Sequence, residues 1–112
     1  MTHNGYGISY YNNLIGMPLF VGEFKDGCFH GKGQMYFING ELEYEGEFKN
    51  GYFHGIGKLY HPNNKLKYKG IFVNNLFYNG FQYNENNKLI AKYVDGKIKS
   101  NWKTKYNSYS WF

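Results

Sequence analysis

The chain has 112 residues, which is the length of a single domain. Hydrophobic residues make up 42% of it and aromatic residues 22%, an apolar content that excludes a disordered chain. The net charge is +5, and the single cysteine, Cys28, excludes an internal disulfide and a cysteine-rich zinc site.

The charges are unevenly distributed along the chain. Residues 1–50 contain three lysines and six acidic residues, whereas residues 51–112 contain ten lysines and two acidic residues. All basic residues are lysines, and the absence of arginine argues against sequence-specific recognition of nucleic acid, because arginine is the usual bidentate donor to phosphates and bases. Nucleic acid is therefore a disfavoured partner.

Neither targeting nor membrane-spanning segments are evident. The N-terminal residues lack the basic start and apolar centre of a secretory signal. No apolar run approaches the roughly 20 residues that a membrane-spanning helix needs. We therefore expect a cytoplasmic protein.

Self-similarity dominates the chain from its first residues onward. Residues 44–57 match residues 20–33, which lie 24 positions earlier, at nine of fourteen positions. A partial copy covers residues 4–10, a third copy begins at residue 68, and a degenerate fourth copy covers residues 89–96. The third copy departs from the pattern after its first residues. An ungapped alignment with residues 44–57 places Tyr78-Asn79 where that copy has His54-Gly55.

Each copy has the pattern of a β-hairpin. Apolar and charged residues alternate over residues 44–48, which predicts a strand with one solvated face. Asp-Gly or Asn-Gly follows, a strong signal for a tight hairpin turn, and residues 53–60 then form the returning strand. Because further turn signals occur at residues 39–40, 62–64 and 85–87, the sequence predicts an all-β, elongated, open antiparallel meander of about eight or nine strands.

The recurring glycines require a packing explanation. Gly55 and Gly57 are two residues apart in a strand, and glycine weakens a strand unless something lies close to it. We expect an aromatic ring from the neighbouring strand to cover them. One face of the sheet should then carry a set of aromatic rings that pack over the glycines of adjacent strands. These rings belong to Phe24, Tyr44, Phe48, Tyr68 and Phe72.

The spacing Y-x-G-x-F-x-x-G-x-x-H-G-x-G resembles the MORN repeat, the "membrane occupation and recognition nexus" motif. Well-matched copies occupy residues 20–43 and 44–67, and degenerate copies precede and follow them. The strict 24-residue interval is similar to that of bacterial and viral members. The matched positions, which the resemblance makes structural, are Gly22, Phe24, Gly27, His30, Gly31, Gly33, Tyr44, Gly46, Phe48, Gly51, His54, Gly55, Gly57, Tyr68, Gly70 and Phe72.

Potential catalytic or metal-binding residues are better explained by the repeat. His30 and His54 recur with it, so we expect each imidazole to bond an adjacent turn rather than a metal. The glutamates at positions 41, 43, 45 and 47 could form a catalytic pair, a calcium site or an acidic docking stripe, but their alternation favours a solvated strand face. Cys28 is interpreted as a turn residue. The sequence thus predicts no enzyme, no cofactor and no metal site.

The C-terminal residues 97–112 differ in composition from residues 1–96, which we assign to the repeat sheet of a single domain. Apolar side chains alternate with lysines there, which predicts either a capping strand or a basic, aromatic binding patch. Ile98, Trp102 and Tyr106 would share one face. The candidate binding residues are Lys97, Lys99, Trp102, Lys103, Lys105 and Tyr106.

The resemblance implies a non-catalytic binding module, an adaptor or an inhibitor that contacts another protein. Bacterial or viral members suggest an immunity or anti-defence role. Two alternatives remain open, namely a peripheral module that binds anionic phospholipid through its lysines, and binding of single-stranded nucleic acid by stacking aromatics. An open sheet also makes a homodimer a candidate assembly.

Overall fold

A computed structural model describes residues 3–12 and 16–99. These residues form one nine-stranded antiparallel sheet, in which every strand pairs with its neighbours in the chain. The extents of 57 × 29 × 15 Å confirm the predicted elongated, open, all-β meander. The strands are β1 Gly5–Tyr10, β2 Pro18–Lys25, β3 Cys28–Tyr36, β4 Leu42–Lys49, β5 Tyr52–His61, β6 Lys65–Val73, β7 Leu76–Tyr83, β8 Leu89–Val94 and β9 Lys97–Ile98, with a 3₁₀ turn at Pro62–Asn64 between β5 and β6.

The tight hairpin turns lie where the sequence predicts them. In the β4–β5 turn, Asn50 and Gly51 have φ angles of 51° and 86°. Both values are positive, as a type I′ turn requires, and Asn and Gly adopt this conformation most readily. Asp26 and Gly27 repeat it between β2 and β3, with φ angles of 51° and 81°.

The recurring histidines bond the turn of the next hairpin, which confirms their predicted structural role. Nδ1 of His30 accepts a hydrogen bond of 3.4 Å from the backbone N–H of Asn50. Nδ1 of His54 accepts one of 3.3 Å from the N–H of Asn74. Each imidazole therefore links one repeat to the next, since the accepting and donating residues lie in consecutive hairpins.

Asparagine performs the same function at both ends of the sheet. Oδ1 of Asn4 accepts from the N–H of Asp26 at 2.9 Å, and Oδ1 of Asn79 accepts from the N–H of Asp95 at 2.8 Å. The position therefore requires a side chain that can accept a hydrogen bond, and this side chain need not be an imidazole. This requirement leaves little reason to assign the histidines to metal binding.

One face of the sheet carries a continuous stack of aromatic rings, which we call the aromatic face. The ring of Tyr44 stacks on that of Phe53, with centroids 4.0 Å apart, and meets Phe48 and Phe72 edge-on at 5.0 and 5.3 Å. Such edge-to-face and stacked arrangements are the favoured ring geometries. The buried members of the stack are Phe20, Tyr44, Phe48, Tyr68 and Phe72, and Phe24 is partly buried against them.

On the aromatic face, the rings that cover glycines in the described strands belong to the first aromatic residue of each repeat. A Cβ built on Gly57 would lie 2.5 Å from Cζ of Tyr44, and one built on Gly33 would lie 2.5 Å from Cζ of Phe20. This confirms the predicted ring over Gly57. The prediction was wrong for Phe24, Phe48 and Phe72, which pack ring against ring instead, and the third covering ring belongs to Tyr68, over Gly80.

The prediction for Gly55 was also wrong. Gly46 pairs with Gly57 and Phe48 with Phe53, so three residues of β5 lie opposite Glu47 alone. This bulge rotates Gly55, with a φ of 87°, away from the rings and against the carboxylate of Glu47. A strict two-residue alternation cannot anticipate the rotation, because the alternation holds only where residues pair one to one.

The tyrosine hydroxyls stabilise the same bulges from the aromatic face. The hydroxyl of Tyr44 donates to the backbone carbonyl of Glu47 at 2.8 Å, and that of Tyr68 donates to the carbonyl of Ile71 at 2.7 Å. Burial raises the pKa of Tyr44 far above its ordinary value, and the negative charge of Glu47 raises it further. The phenol therefore remains a protonated donor throughout the neutral range.

Candidate functional site: a groove over a row of glycines

Seven glycines pair directly with one another across the sheet. The register places Gly7 opposite Gly22, and each following glycine opposite the next, until Gly80 pairs with Tyr93. We call this set the glycine row. Its members, one from each of β1 to β7, are Gly7, Gly22, Gly33, Gly46, Gly57, Gly70 and Gly80.

The glycine row separates two faces with different roles. Tyr44 precedes Gly46 by two residues and therefore lies on the aromatic face, whereas Glu45 lies between them and points to the opposite face. We call this opposite face the groove face. A side chain at these positions would point to the aromatic face, where rings such as that of Tyr44 lie. On the groove face the backbone of the row forms a low floor between the side chains that flank it.

Two hollows on the groove face follow this floor. One of about 520 Å³ extends from Tyr6 on β1 to Lys58 on β5, and one of about 530 Å³ extends from Ile56 on β5 to Val94 on β8. Both include Ile56, Gly57 and Lys58 in their walls. The hollows therefore form one groove that crosses the strands from β1 to β8.

The first hollow is lined by side chains of both charges. Its walls contain Lys32 and Lys58 together with Glu45 and Glu47. Oε1 of Glu47 accepts a hydrogen bond of 2.8 Å from the backbone N–H of Ile56, which closes the β5 bulge. In β3 the same bond, 3.0 Å long, joins Oε2 of Glu23 to the N–H of Lys32.

These bonds correct the interpretation of the alternating glutamates as a purely solvated face. Glu47 is half-buried and closes a bulge, and Glu41 accepts from the N–H of Asn63 at 3.0 Å. Burial raises the pKa of Glu43, and the neighbouring Lys67 partly offsets this effect. Of the four, only Glu45 is exposed, and it lies in the groove.

The second hollow is basic and apolar. Its walls contain the lysines at positions 58, 69 and 92 and no acidic residue. Ile56 is 65% exposed on this surface. Nζ of Lys92 lies 5.9 Å from the ring centroid of Phe81, within the range of a cation–π contact. The groove thus changes from mixed to positive charge along its length.

The third repeat explains why the second hollow lacks a carboxylate. Only two residues of β7 lie between Phe77 and Gly80, one fewer than between Phe53 and Gly57 in the preceding repeat. The shorter bulge coincides with Ile71 at the place of Glu47. The ungapped alignment concealed this deletion, and Asn79 rather than Tyr78 takes over the bond that the histidines make.

The predicted C-terminal binding residues are only partly described. Lys97 and Lys99 are exposed at the β9 end of the sheet, and Ile98, predicted on the packed side, is 56% exposed. Trp102, Lys103, Lys105 and Tyr106 lie outside the described residues. The C-terminal patch, and the division of the chain at residue 96, therefore stay predictions.

The remaining candidates are Cys28 and any cluster of side chains that could bind a metal. Cys28 is exposed, beside the turn between β2 and β3. Within residues 3–12 and 16–99, no group of three or more His, Cys, Asp or Glu side chains is placed to hold a metal ion. Over the same residues, no helix has the length and apolar character needed to cross a bilayer.

Comparison with known families identifies the repeating unit. The family model for the MORN repeat matches residues 20–41 and 44–65. Two adjacent stretches of the chain therefore match the MORN repeat. MORN repeats generally serve as non-catalytic binding modules. No curated protein sequence matches the chain.

The two MORN repeats supply β2 to β5, and therefore most of the walls of the first hollow. The second hollow, which is basic, extends from the second MORN repeat onto the strands that follow it. Sequence reasoning missed five side chains of this hollow, although four of them flank a glycine of the row and the fifth, Lys92, flanks Tyr93, which pairs with Gly80. They are Ile56, Lys58, Lys69, Phe81 and Lys92.

Proposed function

We propose that this chain is a non-catalytic protein-binding module that holds a segment of its partner in the groove. The observation that carries the proposal is the groove itself, because two adjoining hollows cross the strands from β1 to β8 over the backbone of the glycine row. Such a module acts as an adaptor or inhibitor by occupying part of the partner's surface.

The separation of the two faces supports this function. The aromatic face contains the buried rings, whose packing stabilises the sheet. The groove face contains exposed apolar side chains, with Tyr6 71% and Ile56 65% exposed. Exposed apolar groups beside a concave floor are typical of interaction sites in soluble proteins.

The dimensions suit an extended peptide. Strands in a sheet lie about 4.8 Å apart, so the seven-strand glycine row is roughly 29 Å long. An extended chain advances about 3.3 Å per residue, and about nine residues therefore span the row.

A membrane surface is the second candidate, favoured by the three lysines of the basic hollow. A bilayer is flat over the length of this groove, however, so its headgroups would meet the side chains at the rim and leave the glycine floor uncovered. A protein segment can fill the whole groove, and we therefore prefer a protein partner.

Substitution of Ile56 by Glu tests the proposal against a closely matched control. Ile56 is 65% exposed in the groove, whereas Leu76 is 70% exposed at the turn between β6 and β7 and lines neither hollow. Either change places one carboxylate at an exposed apolar position, and exposed substitutions usually alter stability by less than about 0.5 kcal/mol. We expect Ile56→Glu to weaken partner binding at least tenfold, equivalent to about 1.4 kcal/mol, and Leu76→Glu to leave it unchanged.

Quantitative affinity purification from the native host, followed by titration of the purified partner, measures this difference. A protein retained by the wild-type chain and by Leu76→Glu, but lost from Ile56→Glu, is the expected result. If every retained protein binds the two variants equally, the groove is not the binding surface.

A further inference from the structure

We propose that the β5–β8 part of the groove binds an acidic, extended segment of a partner protein that carries an apolar side chain among its carboxylates. We call this part, which corresponds to the second hollow, the basic half. This inference rests on the proposed function and specifies the chemistry of the partner.

The register concentrates positive charge in the basic half. Lys58 pairs directly with Lys69, and Phe81 pairs with both Lys69 and Lys92. Like charges placed directly opposite each other destabilise a sheet. None of these three ammonium groups forms an ion pair with a residue in the described part of the chain. Carboxylates from a ligand would relieve this repulsion.

The neighbouring acidic residue neutralises only one end of the lysine row. Glu45 pairs with Lys58 from β4, whereas Lys69 has Lys58 on one side and Phe81 on the other. The uncompensated charge therefore lies over β6 and β8. Bound carboxylates are expected to lie nearest to Lys69 and Lys92.

Apolar side chains accompany these lysines and require a matching group on the ligand. Ile56 pairs directly with Ile71 across β5 and β6, and the exposed fraction of Ile56 is 65%. The ring of Phe81 lies between the lysines in the same row. A ligand with charge alone would leave these surfaces in water, whereas one leucine or phenylalanine would cover them.

A second copy of this chain is a poor source of the acidic segment. Its acidic cluster lies in β4, which is paired on both sides by β3 and β5. Glu47 is already bonded to the backbone of β5, and Glu41 to that of Asn63. These carboxylates cannot leave the sheet as an extended peptide without unfolding it.

A nucleic acid fits the basic half less well. It contains lysines but no arginine, and a guanidinium is the group that matches phosphate in a bidentate manner. The ring of Phe81 could stack with one base, but the aliphatic side chains of Ile56 and Ile71 offer no further ring for the next. An acidic protein segment satisfies both the charge and the apolar surface.

The test uses the full chain and a fluorescein-labelled peptide of about ten residues, a length that spans the groove. The peptide has Asp or Glu at alternate positions and a central leucine. One control peptide replaces the acids by lysine, and a second replaces the leucine by serine. Fluorescence anisotropy measures binding at low and at moderate salt.

Charge reversal in the chain supplies the matched variants. Lys69→Glu alters the basic half, and Lys49→Glu makes the same change at an exposed position outside the hollow. We expect Lys69→Glu to weaken binding of the acidic peptide at least tenfold, and Lys49→Glu by no more than about twofold. The lysine peptide should not bind, the serine peptide should bind more weakly, and salt should weaken binding of the acidic peptide.

Three results would overturn the inference. These are no binding of the acidic peptide, an equal loss of affinity in Lys69→Glu and Lys49→Glu, and tighter binding to phosphatidylserine vesicles or oligothymidine than to the peptide. If one of these occurs while partner binding still depends on Ile56, the acidic chemistry is wrong and the groove remains the docking surface. If Ile56→Glu also has no effect, the proposed function fails as well.

Discussion

Substitution of Gly57 by Val is expected to lower the free energy of unfolding by on the order of 3 kcal/mol, at the upper end of the cost of overpacking a core. The first added atom would lie 2.5 Å from Cζ and 2.6 Å from Cε1 of Tyr44. Tyr44 is fully buried, and rings on both sides prevent it from moving away. Denaturant unfolding followed by far-ultraviolet circular dichroism measures the loss.

Gly51 provides the control for this substitution. A Cβ at Gly51 meets no atom within 4 Å, although its φ of 86° disfavours other residues. Gly51→Ala should therefore cost only the backbone strain, about 1 kcal/mol. Equal stability losses in Gly51→Ala and Gly57→Val would show that the ring contact over the glycine row does not limit the side chain at position 57.

Replacement of Phe72 by Ala is expected to have the largest effect, a loss of about 3–5 kcal/mol of unfolding free energy, as for other buried aromatic side chains. Phe72 is 0% exposed, and its ring contacts Tyr44 and Phe53 of one repeat and Tyr68 and Phe77 of the next. It therefore packs between the β4–β5 hairpin and the β6–β7 hairpin.

The loss should appear as reduced cooperativity as well as reduced stability. In a repeat protein each unit contacts only its neighbours, so removal of a bridging ring allows the two sides to unfold separately. Leu76→Ala is the control, because Leu76 is 70% exposed and its removal should change stability by less than about 0.5 kcal/mol. A single transition for Phe72→Ala with wild-type midpoint and slope would contradict the proposed coupling.

The meander and its turns could be predicted because their signals are local. Asp26-Gly27 and Asn50-Gly51 define the turns by their own backbone preferences, independently of distant residues. The role of the histidines could also be predicted, since a residue that recurs with a hairpin belongs to its structure. The structure then identifies the hydrogen-bond partners, the N–H groups of Asn50 and Asn74.

The bulges could not be predicted because they depend on the pairing between strands. Glu47 reads as one more member of an alternating polar face, yet three residues of β5 lie opposite it. Gly55 reads as equivalent to Gly57, yet the bulge turns it toward a carboxylate. The same limitation hid the deletion in β7, where Asn79 replaces the histidine.

The groove was missed because it exists only across strands. No single repeat contains more than its own share of the glycine row, and the row appears when consecutive strands align in register. Lys58 and Lys69 are eleven positions apart in the sequence and become direct neighbours through pairing. The uneven charge of the two halves of the chain was visible, but its position on one face of the sheet was not.

The most direct test of the proposed division between a stabilising aromatic face and a binding groove face is to map the bound surface. Amide chemical shifts of the full chain, recorded while the acidic peptide is added, report this surface residue by residue. We expect the largest changes at Lys58, Lys69 and Phe81, and negligible changes at the turn residues Asn50 and Asn74. Absent changes, or changes confined to the turns or to residues 97–112, would contradict binding in the groove.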